Sequence, residues 1–216
     1  MILKIAWRNI WRNKRRTLIT AASIFFAVLF AVAIVSMNRG TIDKMINDTV
    51  RFYSGYGQIL QQGYWEDRSL DLAFELTPKM EQTIVQIDGV QAVVPRLESF
   101  ALASHQNITK SALVVGIDPD REHELTGLKT RLEKGRYLEA ADEAVLLGDG
   151  LAEKLKLEVG DTLVLISQGY RGMNAAGKYP IKGIISFGSP DLSATVVYLP
   201  LEAAQWFYGA TNLITT

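Results

Sequence analysis

Cysteine is absent from the 216 residues, and histidine occurs only twice, at His105 and His123. The first absence excludes a disulfide scaffold and a thiolate zinc site, and it removes the usual redox clue to compartment. Two histidines so far apart in sequence argue against an all-histidine metal centre. Acidic residues are missing from the first 42 positions, where seven basic ones stand; Asp43 is the first carboxylate. The remainder holds 16 basic and 23 acidic residues, a charge of −7, so the net charge of zero hides a basic head on an acidic body. A hydrophobic fraction of 48% with 21% charged residues supports a sizeable core and excludes global disorder or a collagen-like chain. The length fits one domain with an appendage. There is no internal repeat and no low-complexity linker.

No charged residue lies between Arg16 and Arg39. The 22-residue run Thr17–Asn38 would reach about 33 Å as a helix, against a hydrocarbon core of about 30 Å. A transmembrane helix is therefore expected over 17–38. Ala31-Val32-Ala33 fits a signal-peptidase site formally, but the apolar run continues past it to Met37, which speaks against cleavage. Lys4, Arg8, Arg12, Lys14, Arg15 and Arg16 precede the span, and only Arg39 and Lys44 closely follow it, so the N-terminus is expected in the cytoplasm and the body outside.

Residues 1–16 read as an amphipathic helix on the inner leaflet. Ile2, Leu3, Ala6, Trp7, Ile10 and Trp11 fall on one side, and Lys4, Arg8, Arg12, Arg15 and Arg16 on the other. Trp7 and Trp11 suit the headgroup level; Arg8, Arg12, Arg15 and Arg16 suit anionic lipid. Nucleic acid is not an expected partner, because the adjoining span ties this basic stretch to the bilayer. Ser23, Ala27 and Ala31 recur every four residues within the span and would let another helix approach closely. Beyond it, Ile42, Met45, Ile46 and Thr49 keep helical spacing, so a stalk helix is expected over 39–55, suited either to transmitting movement or to serving as a spacer.

The body, 56–216, alternates α and β patterns. Gly57–Gln62 reads as a strand. Pro78–Ile87 reads as a helix capped by Thr77. Val90–Ser104, broken at Pro95, and Ser111–Ile117 read as a hairpin around His105-Gln106-Asn107. Short helices are expected at Pro119–Leu125, Asp149–Leu155 and Pro200–Tyr208, the last with proline at its first position. Strands are expected at Ala144–Leu147, Thr162–Ser167, Tyr179–Ser186 and Ala194–Leu199. Gly160-Asp161 supplies a turn, and Gly135 and Gly148 suit places where a positive φ is useful. The fold class is α+β: an N-terminal transmembrane helix with an amphipathic stalk, then a mixed α/β extracytoplasmic domain.

Catalytic motifs such as G-x-S-x-G and H-E-x-x-H are missing, and no catalytic, cofactor-binding or metal-ligating residue is expected. One near miss is Gly172-Met173-Asn174-Ala175-Ala176-Gly177-Lys178-Tyr179. It follows the phosphate-loop pattern until Tyr179 replaces the Ser/Thr that holds magnesium, and Pro180 then opens a strand instead of a helix. It reads as a flexible hairpin tip. The two histidines read as solvent-exposed, and Asp118/Asp120 with Glu122/Glu124 read as a solvated acidic face.

Ala6-Trp7-Arg8-Asn9-Ile10-Trp11-Arg12-Asn13-Lys14-Arg15-Arg16-Thr17-Leu18 resembles the opening segment of bacterial FtsX/MacB-like permeases of ABC transporters. The body resembles their periplasmic core domain through Val114-Val115-Gly116-Ile117-Asp118-Pro119, Gly135-Arg136-Tyr137-Leu138, Glu143–Gly148 and, most specifically, Leu151–Asp161. Ile181-Lys182-Gly183-Ile184 and Tyr198-Leu199-Pro200-Leu201 extend it. Gly57-Gln58-Ile59-Leu60 and Gly63-Tyr64-Trp65 look most like the lipoprotein-release (LolC/LolE-type) branch. The resemblance implies a bacterial inner-membrane permease subunit that pairs with a second permease subunit and binds a cytoplasmic ABC ATPase. It implies a lipoprotein substrate, a periplasmic carrier as a further partner, and no ATP hydrolysis by this chain. Family permeases carry three more transmembrane helices after the outer domain, so the sequence is expected to be a fragment or a truncated gene product. The rival expectation is a bitopic adaptor or sensor with a periplasmic binding domain.

Overall fold

The computed structural model describes Lys4, Trp7, Arg8, residues 11–49 and residues 57–216, with the backbone alone for 42–49. The chain divides into two units, 1–48 and 49–216. In the first, one helix, α1 (Lys14–Thr49), runs for 36 residues, about 54 Å. Its part Lys14–Thr41 is long and apolar enough to cross a membrane. Hydroxyls along it return hydrogen bonds to the helix: Thr20 to the Arg16 carbonyl, Ser23 to Ile19 and Thr41 to Met37. That satisfies these polar groups without a partner outside the helix.

The second unit is built on one curled sheet. Its order is β4 (Leu132–Gly135), β7 (Asn174–Ile185), β5 (Val145–Gly148), β8 (Val196–Pro200), β3 (Ile108–Ile117), β2 (Arg96–His105) and β6 (Thr162–Gln168). Strand β7 also pairs with β6. Its first half, Asn174–Pro180, lies against β6, and its second half, from Ile181, lies against β5 and β4. The order of strands thus closes on itself. β2 and β3 form a ten-pair antiparallel hairpin around Gln106-Asn107, with Gln106 at φ 51°, the positive value that a tight hairpin turn demands. A separate two-residue ladder joins β1 (Phe74–Glu75) to β9 (Leu213–Ile214).

Alternation along the strands divides the core in two. Leu97, Ala101 and Ala103 of β2 face one way, and pack with α5 (Asp149–Leu155) and α7 (Leu201–Tyr208) through Leu151, Leu155, Ala204 and Phe207. Val115, Ile117, Leu128, Leu146 and Tyr198 fill the cluster on the opposite face. Close packing makes Gly148 necessary for space. A Cβ on Gly148 would stand 2.3 Å from the Ser193 carbonyl oxygen in α6 (Pro190–Ser193), although its φ of −63° is ordinary. Its role is therefore room and not a positive φ. Gly148→Ala is expected to cost about 1–3 kcal/mol by overpacking, lowering the melting temperature of the purified chain followed by circular dichroism. An unchanged melt would show that α6 yields freely.

Several expectations shift. Residues 57–61 are irregular: Gly63 turns the chain at φ 86° into α2 (Tyr64–Asp67), and among the described residues no strand pairs with 57–61. Residues 90–95 are also irregular, and β2 begins after Pro95, which has no N–H to give a ladder. Helix α3 (Pro78–Val85) has the expected Thr77 cap, whose hydroxyl accepts from the Met80 N–H at 3.3 Å, but stops two residues earlier than read. Pro200 is the N-cap of α7, not its first residue. β7 starts at Asn174, five residues before Tyr179, because pairing with β6 overrides the weak strand propensity of an Asn-Ala-Ala-Gly stretch.

Candidate functional site

In the first unit, Trp7 and Arg8 are helical, and so are Trp11 and Arg12. The Trp7 and Trp11 rings lie on one side, centroids 6.0 Å apart, with the Lys14 ammonium 5.9 Å from the Trp11 ring. Arg15 and Arg16 stand in the first turn of α1, after a turn at Asn13. Ser23, Ala27 and Ala31 are exposed along α1, the Ser23 hydroxyl already committed to Ile19. The backbone at Ile42, Met45, Ile46 and Thr49 is helical, and their side chains lie outside the described residues.

The second unit has a buried ionic node that the sequence reading missed. The Arg96 guanidinium, on β2, grips Glu122 with two parallel bonds, Nε to Oε2 and Nη2 to Oε1, both 2.8 Å. The Thr126 hydroxyl donates to the same Oε1 at 2.9 Å, and Glu98 lies 3.8 Å from Nη1. Glu122 is wholly inaccessible, so it is no part of a solvated acidic face. Its helix, α4 (Pro119–Thr126), is capped by the Asp118 carboxylate and closed by Gly127 at φ 67°. The buried positions Pro119, Glu122 and Thr126 recur at three- and four-residue steps, which is the signal that marks Glu122 as inward. Burial disfavours the Arg96 cation, but Glu122 more than offsets this and holds the Arg96 pKa above its ordinary value. Burial first, then Glu122, pushes the enclosed Tyr198 phenol far up.

The node also gathers remote parts of the chain. The Tyr64 hydroxyl donates to the Glu98 carbonyl at 3.0 Å. The Glu98 N–H donates to the Thr215 hydroxyl at 2.8 Å. The Thr215 N–H reaches the Arg96 carbonyl at 2.9 Å, and the Arg96 N–H reaches the Thr216 carbonyl at 2.8 Å. With the β1–β9 ladder, residues 64–75 and 213–216 are fastened to the same end of β2.

Neither histidine is solvent-exposed as read. His105 Nδ1 is 3.1 Å from the Leu155 carbonyl, and half-buried His123 packs edge-on to Tyr137, centroids 6.2 Å apart. Among the described residues no group of His, Asp and Glu could hold a metal ion. Gly177 and Lys178 lie inside β7, not on a flexible tip, and no helix N-terminus follows them. The full-length chain is therefore expected to bind no ATP in calorimetry. Saturable micromolar binding that Lys178→Ala abolishes would overturn this.

The sequence profile of the MacB-like periplasmic core domain matches residues 17–215. The chain belongs to that family. A MacB-like chain of this kind is a component of an ABC transporter permease, and such permeases work with a cytoplasmic ABC ATPase. Among solved structures, the extracellular domain of the noncanonic ABC-type transporter YknZ from Gram-positive bacteria is 18% identical. The match covers 66% of this chain and 70% of that one, with a TM-score of 0.48. The periplasmic region of MacB from Actinobacillus actinomycetemcomitans is 16% identical over 71% of this chain and 67% of that one, also at 0.48. A search among curated proteins gave no match. The MacB-like domain is extracytoplasmic, and one N-terminal helix fits a membrane span, consistent with a membrane-anchored protein.

Proposed function

We propose that this chain belongs to a permease subunit whose outer domain is moved by a cytoplasmic ATPase to release lipoproteins from the bacterial inner membrane. The observation that carries the coupling is the unbroken run of α1. At about 54 Å it exceeds the hydrocarbon core of about 30 Å, so one stiff rod joins the bilayer to the segment leading into the outer domain. The chain itself performs no hydrolysis in this reading; nucleotide chemistry belongs to the ATPase, and a second permease subunit completes the pair. The lipoprotein branch rests on the likeness at Gly57-Gln58-Ile59-Leu60 and Gly63-Tyr64-Trp65. Co-purification from native membranes, with mass spectrometry of what comes along, tests it. An ABC ATPase together with acylated lipoprotein is the expected result; recovery without an ATPase would favour a bitopic adaptor.

The flanking charges give the orientation: N-terminus in the cytoplasm, outer domain in the periplasm. Alkaline phosphatase fused after Gly63 is expected to be active. An inactive fusion, with an active cytoplasmic reporter at the same site, would reverse it.

A further inference from the structure

Among the described residues, the first half of β7 has a partner strand on one side only. The Ile181 N–H donates to the Asp161 carbonyl and its own carbonyl accepts from Gly160, while at the other end the Met173 carbonyl accepts from the Gly169 N–H. Backbone groups alternate sides along a strand, so the odd-numbered residues between them face β6. The N–H and C=O groups of Asn174, Ala176 and Lys178 then point the other way. Pairing with β5 begins only at Ile181 and with β4 only at Gly183, so among the described residues no strand meets 174–178 on that side.

A groove of about 330 Å³ runs there, lined by Glu143, Ala176, Lys178, Tyr179, Ala203 and Trp206. Trp206 projects from α7 with 77% of its surface exposed, on the side opposite buried Ala204 and Phe207. Tyr179 is 94% buried (6% exposed), and its hydroxyl has no hydrogen-bond partner.

We propose that this edge of β7 takes an extended peptide segment of a partner protein as an added strand. Alternating outward N–H and C=O groups match the main chain of a peptide and little else. Trp206 offers an aromatic surface for an apolar side chain, and Glu143 with Lys178 favour a strand carrying a lysine or arginine at one position and a carboxylate at another. This inference is independent of what the transporter carries.

The test uses the full-length chain in lipid nanodiscs and two labelled peptides of about ten residues. One alternates valine and threonine, with one lysine and one glutamate; the other is the same peptide N-methylated at every second amide. Saturable binding of the first is expected, weakened about tenfold or more by N-methylation. Ala176→Pro removes an outward N–H that β6 does not use, and it and Trp206→Ala are each expected to weaken binding by about the same factor. Amide hydrogen exchange supplies a readout on the unaltered chain, which decides the matter if the proline variant melts early. The amides of Asn174, Ala176 and Lys178 should exchange faster than those of Ala175 and Gly177 in the free protein, and slow on adding the first peptide. Absence of binding, equal binding of the N-methylated peptide, or prior protection of those three amides would each overturn the proposal. So would protection that grows with protein concentration alone, since that assigns the edge to a second copy of this chain.

Discussion

Glu122→Ala is expected to cost about 3–5 kcal/mol and to bring the outer domain near unfolding. The loss comes less from the missing attraction than from what remains. Arg96, only 3% exposed, would keep its charge while losing two 2.8 Å bonds. Glu122→Gln keeps the shape and some of the bonding, so it should fall between wild type and alanine. The double change Arg96→Met with Glu122→Leu should recover much of the loss, because a well-packed apolar pair can match a buried ionic one. Urea unfolding of all four proteins gives the comparison. If Glu122→Ala costs less than about 1 kcal/mol, water reaches the guanidinium and the node is not an anchor.

Met45→Pro is the second large effect, and it rests on the proposed coupling. Position 45 lies in α1 four residues past Thr41, the end of the apolar part. Proline there removes one backbone hydrogen bond and clashes with the preceding turn, about 3 kcal/mol or more of local cost. Membrane insertion should survive, since the span ends earlier. In the assembled transporter ATP hydrolysis should persist while transport collapses. Asp48→Ala, which leaves the backbone unchanged, should do little. Normal transport by Met45→Pro in correctly inserted protein would make the stalk a passive spacer.

Local rules carried the reading where chain neighbours decide the structure. Thr77 before Pro78, the Gln106-Asn107 turn, and Asp149–Leu155 ahead of the Gly160 turn are such places. The failures come from distant partners. Nothing within Asn174–Gly177 announces a strand; Ile166 and Leu165 across the ladder do so. Gly57–Gln62 has the composition of a strand but no partner strand among the described residues. Glu122 sits among Asp118, Asp120 and Glu124, and composition alone makes it surface. Only its step from Pro119 and to Thr126, with Arg96 brought up from 26 residues away, turns it inward. The membrane helix was the most legible element, because an uncharged run of that length has few other uses.

The clustering of distant segments on Arg96 and Glu98 makes the start of β2 the knot through which residues 64–75 and 213–216 bear on the sheet. Tyr64, Thr215 and Thr216 hold Arg96 and Glu98, while the rest of β2 is laddered to β3 over ten pairs and to β6 at Leu102, Ala103 and Ser104. Ten residues of strand span about 33 Å. Because that length is laddered on both sides, a pull on its first residues would be shared with β3 and β6 instead of moving one strand alone.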